Sequence, residues 1–146
     1  RWDQPLEQFA KAGLKVVSKQ DCATQSCGLQ IAEDALRQHP DMKVFIGIND
    51  DAAIGALRAY TNAKIDLAGV YIAGQDGTLE GLEAVKKGGA YRASAAILLD
   101  ELAKSILDNS LAAITGKGQA DYVTPVVLGS LEDPKLLDRL ITEYKD

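Results

Sequence analysis

The stretch Val44-Phe-Ile-Gly-Ile-Asn-Asp-Asp51 decides the fold of this chain. Residues 44–48 form an uninterrupted apolar run, which is typical of a parallel strand that is buried on both faces. Polar residues follow at once, and apolar residues then recur at helical spacing. We therefore predict a helix over 51–62, with Asp50 or Asp51 as its cap. A buried strand that leads directly into a helix is the building unit of an α/β protein.

The same unit recurs along the rest of the chain. Further helices are predicted over 3–12, 26–38, 79–87, 100–115 and 134–144, and further strands over 14–18, 68–73, 91–98 and 122–128. Strands and helices that alternate at this spacing indicate parallel pairing through right-handed crossovers. We therefore predict an α/β fold with a doubly wound parallel sheet, in which the polar segment 116–121 is the one linker-like break.

Length and composition narrow the class of protein further. The 146 residues suffice for one domain, and 47% apolar with 25% charged residues is the balance of an ordinary soluble globular protein. No stretch approaches the roughly 18 uninterrupted apolar residues of a membrane helix. Sixteen basic against 21 acidic residues argue against a nucleic-acid surface. Because the chain opens at Arg1 without an initiator methionine or a signal peptide, we expect a mature product or a piece of something longer.

Two predicted strand ends carry polar side chains suited to a small ligand. In an open α/β sheet, ligands bind beyond the carboxyl ends of the strands, where Asn49 and Asp76 stand here. The amide of Asn49 offers a donor and an acceptor, and the carboxylate of Asp76 accepts from two hydroxyls at once. This pair suits a neutral polyol with adjacent hydroxyls. Capping or turn formation is the competing interpretation of both residues.

No arrangement of residues in the chain is typical of a catalytic site. A nucleophile elbow, a phosphate-binding glycine loop and a dinucleotide-binding glycine pattern are all absent, and the single histidine, His39, stands in a His-Pro turn. The enzyme-like alternative is a phosphoacceptor receiver domain, in which Asp50 and Asp51 would form the acidic pair. No lysine follows the last predicted strand, as such a domain requires. We expect no enzyme activity, no metal and no cofactor.

Four residues separate the two cysteines, Cys22 and Cys27, which does not match the two-residue spacing of a zinc knuckle. The residues alone leave two alternatives open. The cysteines are free thiols in a reducing compartment, or they form a small local disulfide in an exported protein.

Several motifs together resemble a known family. The stretch 45–59, FIGINDDAAIGALRA, resembles the strand-Asn-Asp-helix motif of type I periplasmic sugar-binding proteins of the ribose-binding kind. The stretch 73–81, AGQDGTLEG, is similar to their next strand-end motif, Gly-aromatic-Asp-Gly. His39-Pro-Asp41 and the segment 122–128 match in order and at the expected distances. The resemblance covers essentially the whole chain, but only the carboxyl-terminal half of the family's two-lobe protein.

The resemblance implies a set of ligand-binding residues. Asn49 and Asp76 match the positions that hydrogen-bond sugar hydroxyls, and Arg1 matches an arginine at the start of the first helix of this lobe. Gln75, the fourth candidate ligand-binding residue, stands where the family often has an aromatic residue, so a stacking face is missing on that side. A third family contact, often a glutamine at the end of the fourth strand, falls on Ile97, which departs from the pattern.

The resemblance also implies the context of the chain. Residues 1–97 and 123–146 correspond to the carboxyl-terminal lobe, which lacks the strand that normally precedes its first helix. Residues 98–122 correspond to a crossover helix that packs on the missing amino-terminal lobe. The implied partners are a sugar-like ligand and the membrane permease of an ABC transporter. The implied location is periplasmic or extracellular, where Cys22 and Cys27 would form a disulfide.

Two other functions fit the same resemblance. The first is the effector-binding core of a transcription regulator of the lactose-repressor type, which has the same fold but is cytoplasmic. The second is the input domain of a chemoreceptor or sensor kinase. The tail 129–140 with its added last helix, and the close cysteine pair, favour the transport protein.

Overall fold

A computed structural model of the chain describes residues 3–118 and 123–145. Helices and strands alternate along it, which confirms the predicted α/β class. The elements are, in chain order, α1 (Asp3–Lys11), α2 (Gln25–Gln38), β1 (Val44–Ile46), α3 (Asp50–Asn62), β2 (Tyr71–Asp76), α4 (Leu79–Lys87), β3 (Tyr91–Ile97), α5 (Leu99–Ile114), β4 (Val126–Ser130) and α6 (Pro134–Glu143).

The strands form a sheet in the order β1-β2-β3-β4, and its pairings are parallel except for the last. The prediction that every strand is parallel is wrong for β4, which runs antiparallel to β3. Its first residue, Val126, pairs with Ile97 at the end of β3. The chain therefore returns to the sheet at the edge where it left, instead of crossing back over a sheet face to begin a parallel strand.

The predicted strand over 14–18 does not form. Residues 12–24 contain no strand, and the side chains of Leu14 and Val16 are 47% and 46% exposed. The segment 14–20 lies across a cavity of about 450 Å³ from β1, with Leu6 and Phe9 of α1 among the other lining residues. An apolar pattern yields a strand only where a hydrogen-bonding partner lies alongside, and the free edge of β1 is separated from this segment by the cavity.

The core lies between the sheet and the helices α2, α3, α4 and α6. Ile72 of β2, Leu82 of α4 and Tyr60 of α3 are fully buried there. The hydroxyl of Tyr60 donates to the backbone oxygen of Met42 over 3.1 Å, which ties the end of α3 to the loop before β1. Burial raises the pKa of Tyr60 to about 12, so its hydroxyl remains a donor at neutral pH.

Helix α5 differs from these helices, because Ser105 is its only buried residue. Five large apolar residues of this helix are mostly exposed: Leu99, Ile106, Leu107, Leu111 and Ile114. No helix in the described part of the chain is long and apolar enough to cross a membrane.

Helices α2 and α3 cross at two glycines that allow their backbones to touch. A Cβ atom on Gly28 of α2 would lie 2.2 Å from the carbonyl oxygen of Ala52, and one on Gly55 of α3 would lie 2.1 Å from that of Gln25. Because backbone atoms bound both positions, neither helix can relieve the clash by rotating a side chain.

We predict that Gly28→Ala and Gly55→Ala each destabilise the protein. Overpacking a core costs about 1–3 kcal/mol, and a rigid backbone neighbour places both sites at the upper end. The roughly 1 kcal/mol that alanine gains over glycine in a helix is too small to offset this loss. Urea unfolding measures the difference, with Glu33→Ala on the exposed side of α2 as the control. Stability equal to that of the control would contradict the close crossing.

Candidate functional site

The carboxyl ends of β1 and β2 bring the two predicted polar residues to one edge of the sheet. Ile46 pairs with Ala73 in the parallel register. Asn49 and Asp76 each stand three residues further along the chain, so both follow this pair toward the same edge of the sheet. On the other side, Asp76 pairs with Ala96 of β3. Parallel pairing therefore assembles the candidate site from neighbouring strand ends, as expected for an open α/β sheet.

Asn49 is the N-cap of α3, and the expectation that Asp50 or Asp51 fills this role is wrong. The Oδ1 atom of Asn49 accepts from the backbone N–H of Ala52 over 2.9 Å, and its Nδ2 atom donates to the carbonyl oxygen of Ala23 over 2.9 Å. An amide group has two N–H donors and two acceptor lone pairs, so one of each remains for a ligand. Capping and ligand binding are thus compatible at this residue.

Asp76 ends β2 in an unusual backbone conformation. Its φ angle is +94°, and that of Gly77 is +74°, so the chain turns sharply before α4 begins. Thr78 is the N-cap of that helix and accepts from the backbone N–H of Gly81. A Cβ atom on Gly77 would lie 2.4 Å from the Cβ of Ala96, which restricts this position to glycine. The turn directs the chain from the sheet edge into α4 within two residues.

The central role of Asp50 was not predicted from the sequence, which suggested only a helix cap or an acidic pair at this position. This residue is fully buried, and its carboxylate accepts hydrogen bonds from the hydroxyls of Tyr91 over 2.8 Å and Ser94 over 2.7 Å. It also accepts from the backbone N–H of Thr78 over 2.7 Å and from its hydroxyl over 3.1 Å. Burial, reinforced by the adjacent carboxylate, raises the pKa of Tyr91 well above its usual value, so Tyr91 acts as a donor.

Two glycines make room for this buried carboxylate. A Cβ atom on Gly74 would lie 2.2 Å from Oδ1 of Asp50, and one on Gly81 would lie 2.5 Å from Oδ2. These glycines belong to the motif 73–81, and were the available signal that a neighbouring group approaches its backbone. Only the fold reveals that this group is Asp50.

The other candidate residues take different places. Gln75 pairs with Ala95 of β3, one residue before the turn at Asp76. Ile97 ends β3 with an aliphatic side chain, and its carbonyl oxygen accepts from the hydroxyl of Tyr144. Arg1 lies outside the described residues. Among those residues, no group of three or more His, Cys, Asp or Glu is placed to hold a metal ion.

The segment that contains the cysteines borders the site. Cys22 and Cys27 are paired in the structure, with their Cα atoms 5.9 Å apart. Between them, Thr24 caps α2 by accepting from the backbone N–H of Cys27 over 3.3 Å. Ala23 supplies the carbonyl oxygen that accepts from Asn49. This short loop therefore supports the amide side of the candidate site.

Comparison with known proteins identifies the family. A sequence family described as a periplasmic binding protein domain matches residues 2–118. The ribose import binding protein of Salmonella typhimurium is 43% identical over 61 residues, which are 42% of this chain and 20% of that protein. With its fold and its strand-end motifs, the chain belongs to the family of type I periplasmic sugar-binding proteins.

Solved structures with the same fold extend over nearly the whole chain. A periplasmic solute-binding protein of an ABC transporter from Actinobacillus succinogenes, with bound D-allose, aligns with a TM-score of 0.80 at 25% identity and covers 90% of this chain. A myo-inositol-binding protein from Caulobacter, bound to myo-inositol, has a TM-score of 0.80 at 25% identity and covers 95%. The matches take in 47% and 48% of those proteins, so the chain spans about half their length.

We predict that Cys22 and Cys27 form a disulfide in the native protein. Thiol titration of the denatured, unreduced protein should detect no free thiol, and titration after reduction should detect both. Replacing both residues by serine should lower the free energy of unfolding by about 2 kcal/mol, since the closed loop is short. Two free thiols before reduction would contradict the pairing and favour a reducing compartment.

Proposed function

We propose that this chain is the carboxyl-terminal lobe of a protein that binds a sugar or sugar-like polyol between two lobes and delivers it to an ABC transporter. What supports the proposal is the position of Asn49 and Asp76, each three residues beyond the paired residues Ile46 and Ala73 at the carboxyl ends of neighbouring parallel strands. In a chain of this family, an amide and a carboxylate at that edge match the chemistry of a hydroxyl-rich, neutral ligand.

The two polar residues contribute differently to binding. Asn49 retains one N–H donor and one lone pair beyond its cap and its bond to Ala23, and so forms bonds of the neutral kind. Asp76 supplies an acceptor with a formal charge, which strengthens its hydrogen bonds to hydroxyl donors. Ile97 at the end of β3 offers no polar side chain. The ligand is therefore held by this lobe mainly at the β1 and β2 ends.

The relatives support the same ligand class and a transport function. Their names and titles include a ribose import binding protein and proteins with bound D-allose and myo-inositol. We infer from this kinship that the protein is exported to the periplasm, that a membrane permease is its partner, and that it binds its ligand without catalysis. The effector core of a lactose-repressor-type regulator is not favoured, because these relatives are transport proteins.

The exposed face of α5 supports a second lobe. We propose that residues 98–122 cross to an amino-terminal lobe, which covers Ile106, Leu107 and Leu111. Burial of large apolar side chains is favourable, and soluble proteins seldom expose several of them in one patch. The free edge of β1 borders the cavity. It similarly offers a hydrogen-bonding partner to the strand that precedes α1 in this family. In this proposal, residues 1–97 and 123–146 belong to the carboxyl-terminal lobe.

We predict that Asp76→Ala weakens ligand binding more than Asn49→Ala in the complete protein. Charge-assisted hydrogen bonds contribute roughly 1.5–3 kcal/mol and neutral ones about 1 kcal/mol, so the expected losses are above tenfold and about fivefold. Calorimetry with D-ribose, D-allose and myo-inositol measures both. Asp51→Ala is the matched control, because Asp51 is exposed and accepts from Gln25. An Asp76→Ala affinity within about twofold of the unaltered protein would remove Asp76 from the site.

We predict that Leu107→Ala destabilises the complete two-lobe protein by about 2–5 kcal/mol, the cost of truncating a buried leucine. The side chain is 58% exposed in this lobe, so such a cost requires cover from another part of the protein. Glu101→Ala on the same helix is the control and should change stability by no more than about 0.5 kcal/mol. Equal urea unfolding curves for the two variants would contradict the crossover.

A further inference from the structure

The buried carboxylate of Asp50 is linked to both candidate ligand residues. On one side it is the direct neighbour of Asn49 in the chain and the first residue of α3. On the other side it accepts from the backbone N–H of Thr78, two residues beyond Asp76. A single residue inside the fold therefore joins the two chain segments that carry Asn49 and Asp76.

Asp50 is also linked to the turn after Asp76 through Ser94 of β3. Its hydroxyl donates to the Asp50 carboxylate and accepts from the backbone N–H of Gly77 over 3.1 Å. The two N–H groups that follow Asp76, those of Gly77 and Thr78, are thus both held by the same buried cluster. The turn has no freedom to rotate either peptide group without breaking one of these bonds.

The conformation of the turn makes this support necessary. Asp76 has a φ angle of +94°, a region that residues other than glycine rarely occupy. Such a conformation persists only where the surrounding structure determines it. The bonds from Gly77 and Thr78 supply that constraint directly after the strained residue, and they fix the direction in which the Asp76 side chain leaves the backbone.

We propose that Asp50 is a positioning residue for ligand binding, which sets the spacing and orientation of Asn49 and Asp76 without touching the ligand. This inference rests on the proposed function. A polyol presents hydroxyls at fixed separations, so the distance between the amide and the carboxylate determines which pair of hydroxyls both groups reach. The buried cluster therefore contributes to the choice among polyols as well as to affinity.

The decisive variant is Ser94→Ala in the complete protein. It removes the link to the Gly77 N–H and leaves the bonds from Tyr91 and Thr78 to Asp50 in place. Asp50→Asn is the companion variant, but it removes a buried charge and replaces an acceptor by a donor, which can prevent folding. Ser105→Ala is the matched control, because Ser105 is also buried and its hydroxyl donates to the Leu102 carbonyl within α5.

The test is a double-mutant cycle on ligand affinity, measured by calorimetry with D-ribose, D-allose and myo-inositol. Ser94→Ala should weaken binding about fivefold or more and change the ratio of affinities among the three polyols. In an Asp76→Ala background, the same substitution should change affinity by less than about twofold, because the group it positions is gone. Ser105→Ala should leave affinity and ratio unchanged.

The outcomes separate this inference from the proposed function. If the unaltered protein binds none of the three polyols, the proposed function fails, and the positioning role fails with it. If it binds one of them while Ser94→Ala changes only the free energy of unfolding, the cluster is merely structural and the positioning role alone is overturned. An equal loss of affinity in the presence and absence of the Asp76 carboxylate would also overturn it.

Discussion

The Asp50 carboxylate is the constraint on which the arrangement of the sheet edge depends. Burying a charged group without compensation is strongly unfavourable, and here two hydroxyls of β3 and the backbone N–H of Thr78, the N-cap of α4, supply the compensation. The first turn of α3, to which Asp50 belongs, adds the favourable field of a helix N-terminus. Removing any one donor would leave part of a buried charge unsatisfied. The turn after β2 and the first half of β3 are consequently held against the start of α3.

The same constraint explains how Asn49 serves two purposes. The side chain of a helix N-cap usually has only that role, because it accepts a hydrogen bond from the backbone of the first turn. Here the amide also contacts the Ala23 carbonyl, so its plane is fixed from two directions. A side chain fixed in this way loses little conformational entropy when a ligand arrives, which favours binding.

Much of the fold could be predicted from sequence because apolar periodicity reports burial directly. The run 44–48 and the helical stripes after it gave the α/β class, and the strand-end motifs placed Asn49 and Asp76 at one edge. Apolar periodicity does not show, however, which strands pair with each other. The segment 14–18 has the pattern of a strand, but no strand lies beside it to form hydrogen bonds. The direction of β4 depends on the path that the chain takes through α5. Asp50 was missed because its burial depends on glycines more than twenty residues away in the chain.

The pairing of Ile97 with Val126 has a consequence for engineering the lobe. Because the chain leaves and re-enters the sheet at neighbouring points, everything between these two residues is topologically an enlarged hairpin loop. Two antiparallel strands of this kind can be joined by a two-residue Asn-Gly turn. Excision of the intervening segment would leave every strand pairing of the sheet intact. The lobe is thus organised as a scaffold from which the exposed apolar helix α5 can be removed, or replaced by another module, between Ile97 and Val126.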